Sequence, residues 1–181
     1  GANGMAGQAI KRRFIKHGYN YLLTPSRVEL NLFELDSLNQ WFLKQQPDVV
    51  VIAAAKVGGI LANSTKPTEF LLENLKIQNN LIETSWKFGV KRLLFLGSSC
   101  IYPKFASQPI KEEELLNGAL EATNQWYAIA KIAGIKFCEA LRRQYSFDAI
   151  SLMPTNLYGP GDNYDPSTSH VMASLIRKFC K

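Results

Sequence analysis

Tyr127 and Lys131 stand four positions apart in the segment QWYAIAK. Residues i and i+4 lie on the same face of a helix, so a helix here would place a phenol beside an ammonium group. We expect the positive charge of Lys131 to lower the pKa of the Tyr127 hydroxyl, which would let it transfer a proton near neutral pH. A surface tyrosine beside an unrelated lysine is the alternative, and so short a motif taken alone favours that alternative.

Hydroxyl and thiol groups follow an apolar segment in the sequence LGSSC, which runs from Leu96 to Cys100. This pattern predicts the exposed end of a buried strand, with polar side chains beyond the edge of the sheet. A hydroxyl, a phenol and a lysine together suit the reduction or oxidation of a carbonyl group at a nicotinamide ring. The company of these groups favours the catalytic interpretation of Tyr127 over the alternative.

Apolar, strand-like segments alternate with longer helical patterns along the chain. This alternation predicts an α/β fold, a doubly wound Rossmann-type parallel sheet with helices on both faces, in a single domain over residues 1–181. The apolar, non-alternating segment 49–54 is typical of a central strand buried on both faces. Strands are predicted at Tyr19–Thr24, Val49–Ala54, Arg92–Leu96 and Ala149–Met153, and helices at Met5–Lys16, Ser37–Gln45, Pro67–Phe88, Thr123–Tyr145 and Thr168–Phe179.

Three glycines begin the chain with the spacing G-x-x-G-x-x-G, typical of a dinucleotide-binding loop that opens a helix. Glycine lets the backbone approach a pyrophosphate at a helix N-terminus, where free N–H groups favour anions. Glycines also form ordinary turns, so the spacing alone is weak evidence. Since such a loop normally follows a strand, we expect a strand before Gly1 and a further C-terminal part, with residues 155–181 beginning the substrate-binding region. The cofactor loop predicted here comprises Gly1, Ala2, Asn3, Gly4, Met5, Ala6 and Gly7.

The second predicted strand ends in Thr24-Pro25-Ser26-Arg27, where an NAD-specific site usually places an acidic residue. A serine and an arginine can hold a 2′-phosphate by charge-assisted hydrogen bonds, which favours NADP over NAD. A simple polar turn at Ser26-Arg27 is the alternative.

Two further loops leave predicted strands at their carboxyl ends, where ligands bind in open α/β sheets. The first, AAAKVGG over residues 53–59, has small residues that leave room for a cofactor or a sugar. The second, PTNLYGPG over residues 154–161, is a rigid polar loop. For each loop separately, turn formation alone is an alternative.

The composition is that of an ordinary globular protein, with 46% hydrophobic and 20% charged residues. The net charge of +6 comes from scattered residues and suits polyanionic small ligands, whereas binding to nucleic acid is not favoured. The three cysteines have neither metal-binding nor disulfide spacing. No segment has the length of a membrane span, and residues 1–7 have no signal-peptide pattern, so we expect a cytoplasmic protein.

Five motifs taken together resemble the extended short-chain dehydrogenase/reductases: GxxGxxG, AAAKVGG, GSSCIYP, YAIAKIAG and MPTNLYGP. Within that family they are similar to the GDP-L-fucose synthases, which epimerise C3 and C5 and reduce C4 of GDP-4-keto-6-deoxy-D-mannose with NADPH. The resemblance implies a GDP-sugar substrate, NADP(H) as cofactor and a homodimer. Another nucleotide-sugar epimerase or reductase, or a non-catalytic dinucleotide-binding module, remains as an alternative.

The resemblance also implies a role for individual residues. Tyr127 would give a proton to the C4 oxygen, with Lys131 as its ribose-binding partner and Ser98 bonded to the same oxygen. Cys100 and His170 would be the acid/base pair of the epimerisations, since thiol and imidazole are easily poised near pH 7. The implied cofactor contacts are Leu96, Gly97, Ser98, Ser99, Lys131, Pro154, Thr155, Asn156, Leu157 and His170; the substrate contacts are Val57, Gly58, Gly59, Asn156 and Lys178.

The chain departs from the family pattern at two places. Ala2 and Asn3 stand where the family usually has histidine and arginine, and Lys178 stands where arginine is common. A lysine replaces a bidentate fork with a point charge. Related dehydratases carry an Asp-Glu pair soon after the serine, whereas this chain has Cys100-Ile101, which argues against dehydration.

Overall fold

A computed structural model describes residues 1–165 and 168–180 of the chain. Its described strands form one parallel sheet in the order β1-β2-β3: β1 (Val49–Ile52), β2 (Arg92–Leu96) and β3 (Ala149–Leu152). The strands are in register, with Val50 opposite Leu93 and Leu94 opposite Ile150. Because the strands are parallel, the loops that follow them all lie at one edge, called the carboxyl edge below.

Helices connect the strands, as the alternating pattern predicts. They are α1 (Met5–Lys16), α2 (Leu35–Gln45), α3 (Ile60–Thr65), α4 (Pro67–Lys87), α5 (Gln125–Tyr145) and α6 (Val171–Phe179), with 3-10 turns at Ser99–Ile101 and Glu112–Glu114. Helices α4 and α5 pack against each other and against the sheet, and α2 packs beside α4. The α/β class and the parallel, Rossmann-like sheet are therefore confirmed.

The core lies between the sheet and helices α4 and α5. Leu93 and Phe95 of β2 are fully buried on this face, together with Ile82 of α4. The intervening Leu94 and Leu96 are only half-buried, because successive strand residues point to opposite faces. This burial stabilises the position of α5, which carries Tyr127 and Lys131.

Gly134 brings α5 close to the sheet. A Cβ atom there would lie 2.6 Å from the Phe95 ring and 2.9 Å from Cδ of Gln78, closer than packed atoms approach. Gln78 of α4 donates a hydrogen bond to the Ala130 carbonyl oxygen of α5 at 2.5 Å. The close packing at Gly134 and the hydrogen bond from Gln78 fix the distance between α5 and β2. They therefore also fix where the first turns of α5 lie relative to the carboxyl edge.

Two predictions about strands are wrong. Residues 19–24 form no strand, because within the described chain they pair with no neighbour and Tyr19 and Tyr21 are exposed. Val49–Ile52 is an edge strand of the described sheet, with one partner and Val49 exposed, and β2 is the central strand. An apolar run does not reveal which strands will flank it.

Element boundaries differ by a few residues elsewhere. Helix α5 begins at Gln125 instead of Thr123, and α6 at Val171 instead of Thr168. The short helix Ile60–Thr65 was not predicted, since six residues carry too little periodicity to be recognised.

Candidate active site

The glycine loop lies against the carboxyl edge of β1. A Cβ atom on Gly1 would overlap the backbone of Ala53 and Ala54, and one on Gly7 would overlap the backbone of Gly1 and Ala2. The Gly4 N–H donates to the Gly1 carbonyl oxygen at 3.1 Å, and Gly4 is the N-cap of α1. Because Gly4 has no side chain, no cap oxygen covers the N–H groups of the first turn, which remain available to an anion.

Ser26 and Arg27 lie in a turn closed by Glu29. The Ser26 N–H donates to the Glu29 carboxylate at 2.8 Å, and the Glu29 N–H donates to the Ser26 hydroxyl at 3.3 Å. The Ser26 hydroxyl thus has a structural partner within the turn, whereas the Arg27 side chain is exposed.

Lys131 is the most deeply buried charged residue among those described, at 3% exposure. Its Nζ donates to the Leu96 carbonyl oxygen at 2.8 Å and lies 5.7 Å from the centre of the Tyr127 ring. It also lies 4.7 Å from the centre of the Phe95 ring. Burial lowers the pKa of Lys131 to about 8, against the opposing attraction of a Cys100 thiolate.

Tyr127 lies on the same face of α5 as Lys131, as the spacing predicts, but its pKa moves in the opposite direction from our expectation. Burial raises the pKa of the Tyr127 hydroxyl, and the negative charge of a Cys100 thiolate raises it further. A hydrogen bond with Ser98 opposes both effects. The prediction of a lowered pKa is wrong because burial disfavours the phenolate, and this is the largest of the effects that act on Tyr127.

Cys100 lies in the 3-10 turn Ser99–Ile101 and is half-buried. Burial raises the pKa of its thiol, while a hydrogen bond with Ser98 and the charge of Lys131 act in the other direction. Ser98 therefore lies beside both Cys100 and Tyr127. The structure brings these four polar side chains into one cluster at the carboxyl edge, which we call the catalytic cluster: Ser98, Cys100, Tyr127 and Lys131.

Backbone hydrogen bonds fix the loop that carries Ser98 and Cys100. The Gly97 N–H donates to the Leu152 carbonyl oxygen at 2.8 Å, and the Ser99 N–H donates to the Pro154 carbonyl oxygen at 3.2 Å. The loop after β3 thus continues beside the loop after β2. Thr155, Asn156 and Leu157, predicted to contact the cofactor, extend from this point and are exposed.

The remaining predicted residues lie farther along the same edge. The Gly59 N–H donates to the Thr168 carbonyl oxygen at 3.3 Å, which brings residues 168–170 beside the predicted substrate loop. His170 is the exposed N-cap of α6, and Lys178 is exposed in its last turn. Within the described residues no hydrogen bond joins His170 or Lys178 to the catalytic cluster.

Sequence reasoning missed three residues of α4 that support this edge: Phe70, Asn74 and Gln78. Asn74 is 2% exposed and hydrogen-bonded to Lys56, and Phe70 packs edge-on against the Tyr127 ring. One signal could have revealed them: Phe70, Asn74 and Gln78 recur every fourth residue, so two amides share a helical stripe with an apolar ring. Amides on a buried face need specific partners, which marks them as structural.

The described residues contain no group of acidic, histidine or cysteine side chains arranged to hold a metal ion. None of the described helices combines the length and apolarity needed to span a bilayer.

The NAD dependent epimerase/dehydratase family model matches residues 1–181, and the chain belongs to that family. It is 54% identical to the probable GDP-L-fucose synthase 1 of Oryza sativa subsp. japonica, over 99% of this chain and 55% of the rice protein. The chain thus spans about half the length of the curated relatives it matches.

Two solved structures resemble this fold over nearly the whole chain. A GDP-6-OMe-4-keto-L-xylo-heptose reductase from C. jejuni superposes with a TM-score of 0.94 at 38% identity, covering 99% of this chain and 51% of that one. A GDP-L-fucose synthetase from Naegleria fowleri bound to NADP gives a TM-score of 0.86 at 30% identity, covering 98% and 58%.

Proposed function

We propose that this protein converts GDP-4-keto-6-deoxy-D-mannose to GDP-L-fucose, by epimerisation at C3 and C5 followed by NADPH-dependent reduction at C4. The observation that carries the proposal is the catalytic cluster, in which the Ser98 hydroxyl lies beside a thiol and a phenol near the buried Lys131. The likeness to the rice GDP-L-fucose synthase supports the choice of sugar.

The glycine loop fits a dinucleotide. Gly1 and Gly7 leave no space for side chains, and the uncapped first turn of α1 offers N–H groups to a pyrophosphate. Arg27 is the residue proposed to hold a 2′-phosphate, and the NADP bound to the Naegleria fowleri relative supports this preference. When bound, NADPH supplies the hydride; the protein orients the sugar and moves the protons.

In the reduction, Tyr127 would give its proton to the C4 oxygen while Ser98 donates a hydrogen bond to the same atom. A phenol whose pKa is raised by burial keeps its proton until a stronger base forms beside it. The alkoxide that forms at C4 is such a base. The nearby Lys131 ammonium would then stabilise the phenolate that remains.

In the epimerisations, the C4 ketone acidifies the protons on C3 and C5, and each inversion needs an acid and a base on opposite faces. Cys100 and His170 are proposed for these roles. Burial raises the pKa of the Cys100 thiol, and Lys131 and Ser98 stabilise the thiolate left when it gives up its proton. Ser98 and Tyr127 would also stabilise the enolate oxygen at C4, so one oxygen site serves both reactions.

We propose that residues 1–181 form one NADP-binding domain, with 155–181 beginning the substrate-binding region. A homodimer through α4 and α5 is part of the proposal, because both helices expose apolar side chains, among them Leu72, Trp126 and Ile129. The proposed partners are a GDP-sugar and a second copy, with no role for nucleic acid or membrane. A cytoplasmic location fits the three free thiols of Cys100, Cys138 and Cys180.

Isotope exchange in heavy water tests the proposal. The complete natural chain is incubated with GDP-4-keto-6-deoxy-D-mannose without reductant, and deuterium at each sugar carbon is measured by mass spectrometry and NMR. Label at C3 and C5, followed by GDP-L-fucose on addition of NADPH, is expected. An unlabelled sugar that is nevertheless reduced would show that the epimerase assignment is wrong.

The second candidate is a nucleotide-sugar reductase without epimerase activity. The high TM-score with the C. jejuni reductase favours it, because the same fold there belongs to a protein named for reduction alone. The exchange experiment separates the two candidates directly. If neither label nor product appears, the remaining alternative is a non-catalytic dinucleotide-binding module.

A further inference from the structure

Lys56 is held by two glutamates of α4. Its Nζ forms an ion pair with Glu69 and another with Glu73 at 2.7 Å, and its side chain is 25% exposed. The hydrogen bonds to these carboxylates raise the pKa of Lys56. Lys56 directly follows the small residues after β1. The two ion pairs therefore hold the loop that follows β1 at the carboxyl edge.

The backbone of Lys56 is also tied to α4. Its N–H donates to Asn74 Oδ1 at 2.9 Å, and Asn74 Nδ2 donates to the Lys56 carbonyl oxygen at 3.0 Å. Asn74 Nδ2 donates in addition to the Phe70 carbonyl oxygen at 2.7 Å. Both the side chain and the backbone of Lys56 are therefore fixed to one helix, within a single turn of Phe70.

Phe70 fills the space between this loop and Tyr127. Its ring is 2% exposed and meets the Tyr127 ring edge-on, with centroids 6.5 Å apart and an interplanar angle of 81°. The Lys56 Nζ lies 6.0 Å from the centre of the Phe70 ring, and a Cβ atom built on Gly58 would lie 3.1 Å from Phe70 Cζ. The phenol proposed as proton donor thus rests on a ring that itself contacts the substrate loop.

We propose that Lys56 is a positioning residue, which holds loop 56–59 on α4 and, through Phe70, sets the place of the Tyr127 ring. The assignment of Tyr127 as proton donor rests on the proposed function; the contacts that link it to Lys56 do not. Asn63 holds the other end of the loop, since its Nδ2 donates to the carbonyl oxygens of Gly58 and Gly59 at 2.8 and 3.1 Å. Because both ends of the loop are fixed, the ion pairs of Lys56 hold the loop and the Tyr127 ring in place together.

Steady-state kinetics of Lys56→Met in the complete natural chain give the first test. Small displacements of reacting groups are costly, so we expect kcat for reduction to fall about tenfold and KM for the sugar nucleotide to rise. Lys56→Arg, which keeps the charge, should recover most of the loss. The matched control is Lys87→Met. It removes a lysine of α4 that is paired with Glu83 at 2.6 Å, and it should change neither kcat nor KM.

A second measurement needs no turnover. In protein labelled with ¹³C-tyrosine, the Tyr127 resonance is assigned by its loss in Tyr127→Phe, and hydrogen exchange is followed in residues 56–59. Lys56→Met should shift that resonance and speed exchange in the loop, whereas Lys87→Met should do neither. If Lys56→Met does not fold, the double variant Glu69→Gln, Glu73→Gln removes both ion pairs of Lys56 by changing side chains that are only half-buried.

The two measurements separate failure of this inference from failure of the proposed function. An unchanged Tyr127 resonance and unchanged exchange in Lys56→Met would overturn the inference, whatever the enzyme does. A shifted resonance in a protein that does not turn over the GDP-sugar would support the positioning role and reject the proposed reaction. Equal loss of activity in Lys56→Met and Lys87→Met would also overturn the inference, because the effect would then be a general one on α4.

Discussion

The Nζ of Lys131 donates a 2.8 Å hydrogen bond to the carbonyl oxygen of Leu96, the last residue of β2. This bond fixes the first turns of α5 over the carboxyl end of the central strand. It also places a charged group in a nearly dry site, where its pKa falls to about 8. The arrangement is costly for folding and suited to proton transfer, a combination common at active sites.

The first prediction concerns the cost of burying this charge. The unfolded lysine titrates near 10.5 and the folded one near 8, so below pH 8 the folded state holds a charge that its surroundings disfavour. Lys131→Met should therefore raise the free energy of unfolding at pH 7, by up to about 3 kcal/mol, less the value of the lost hydrogen bond to Leu96.

The sign of the pH dependence is specific. Between about pH 8 and 10.5 the unfolded lysine binds a proton that the folded one has released, so the stability of the parent protein rises with pH there. The advantage of Lys131→Met should shrink across that range. Urea unfolding of both proteins at pH 7 and pH 10 measures this difference in the free energy of unfolding. A difference that grows with pH would contradict the lowered pKa of Lys131.

The second prediction concerns Cys100. Cys100→Ser should abolish deuterium exchange at the sugar carbons, because a hydroxyl is a far weaker acid than a thiol, while the affinity for NADPH stays within about twofold. Cys180→Ser changes an exposed thiol outside the catalytic cluster and is the control, expected to leave exchange unchanged. Parallel loss of exchange and of NADPH binding in Cys100→Ser would mean a structural cysteine.

The third prediction concerns the glycine loop. Gly7→Ala places a Cβ against the backbone of Gly1 and Ala2, which cannot move aside as a side chain can, so a loss of about 1–3 kcal/mol in stability is expected. Gly4→Ala meets only the Gly1 carbonyl oxygen at 3.5 Å, an ordinary contact, and should cost less than about 1 kcal/mol. Thermal unfolding of the two variants compares them, and equal losses would contradict the close approach at Gly7.

The fourth prediction concerns the choice of cofactor. Arg27→Ala should weaken NADPH binding about 10- to 150-fold and leave NADH binding nearly unchanged, since a charge-assisted contact to the 2′-phosphate is worth about 1.5–3 kcal/mol. Isothermal titration with both nucleotides measures the ratio. The control is Arg143→Ala, which changes an arginine in the last turn of α5, at the end of the helix away from Tyr127. Equal weakening of both nucleotides would place Arg27 at the shared pyrophosphate instead.

Local sequence patterns determined much of the fold and brought the main residues of the candidate site together. Helical spacing alone placed Tyr127 and Lys131 on one face of α5, because the period of a helix does not depend on its neighbours. The alternation of apolar segments and helices predicted the parallel sheet, and parallel strands bring their carboxyl ends together whatever their order. The motifs around Ser98, Cys100 and Tyr127 therefore converged on one edge without any knowledge of contacts.

Only the tertiary structure decided the properties that depend on neighbours distant in sequence. Among the described residues, 19–24 have no strand partner and Val49–Ile52 lies at an edge of the sheet, because pairing is a relation between segments. The pKa of Tyr127 rises instead of falling because packing buries the phenol, and desolvation is the largest effect on its pKa. The contacts from Lys56 through Phe70 to Tyr127 join three separate elements, so no local pattern could have revealed them.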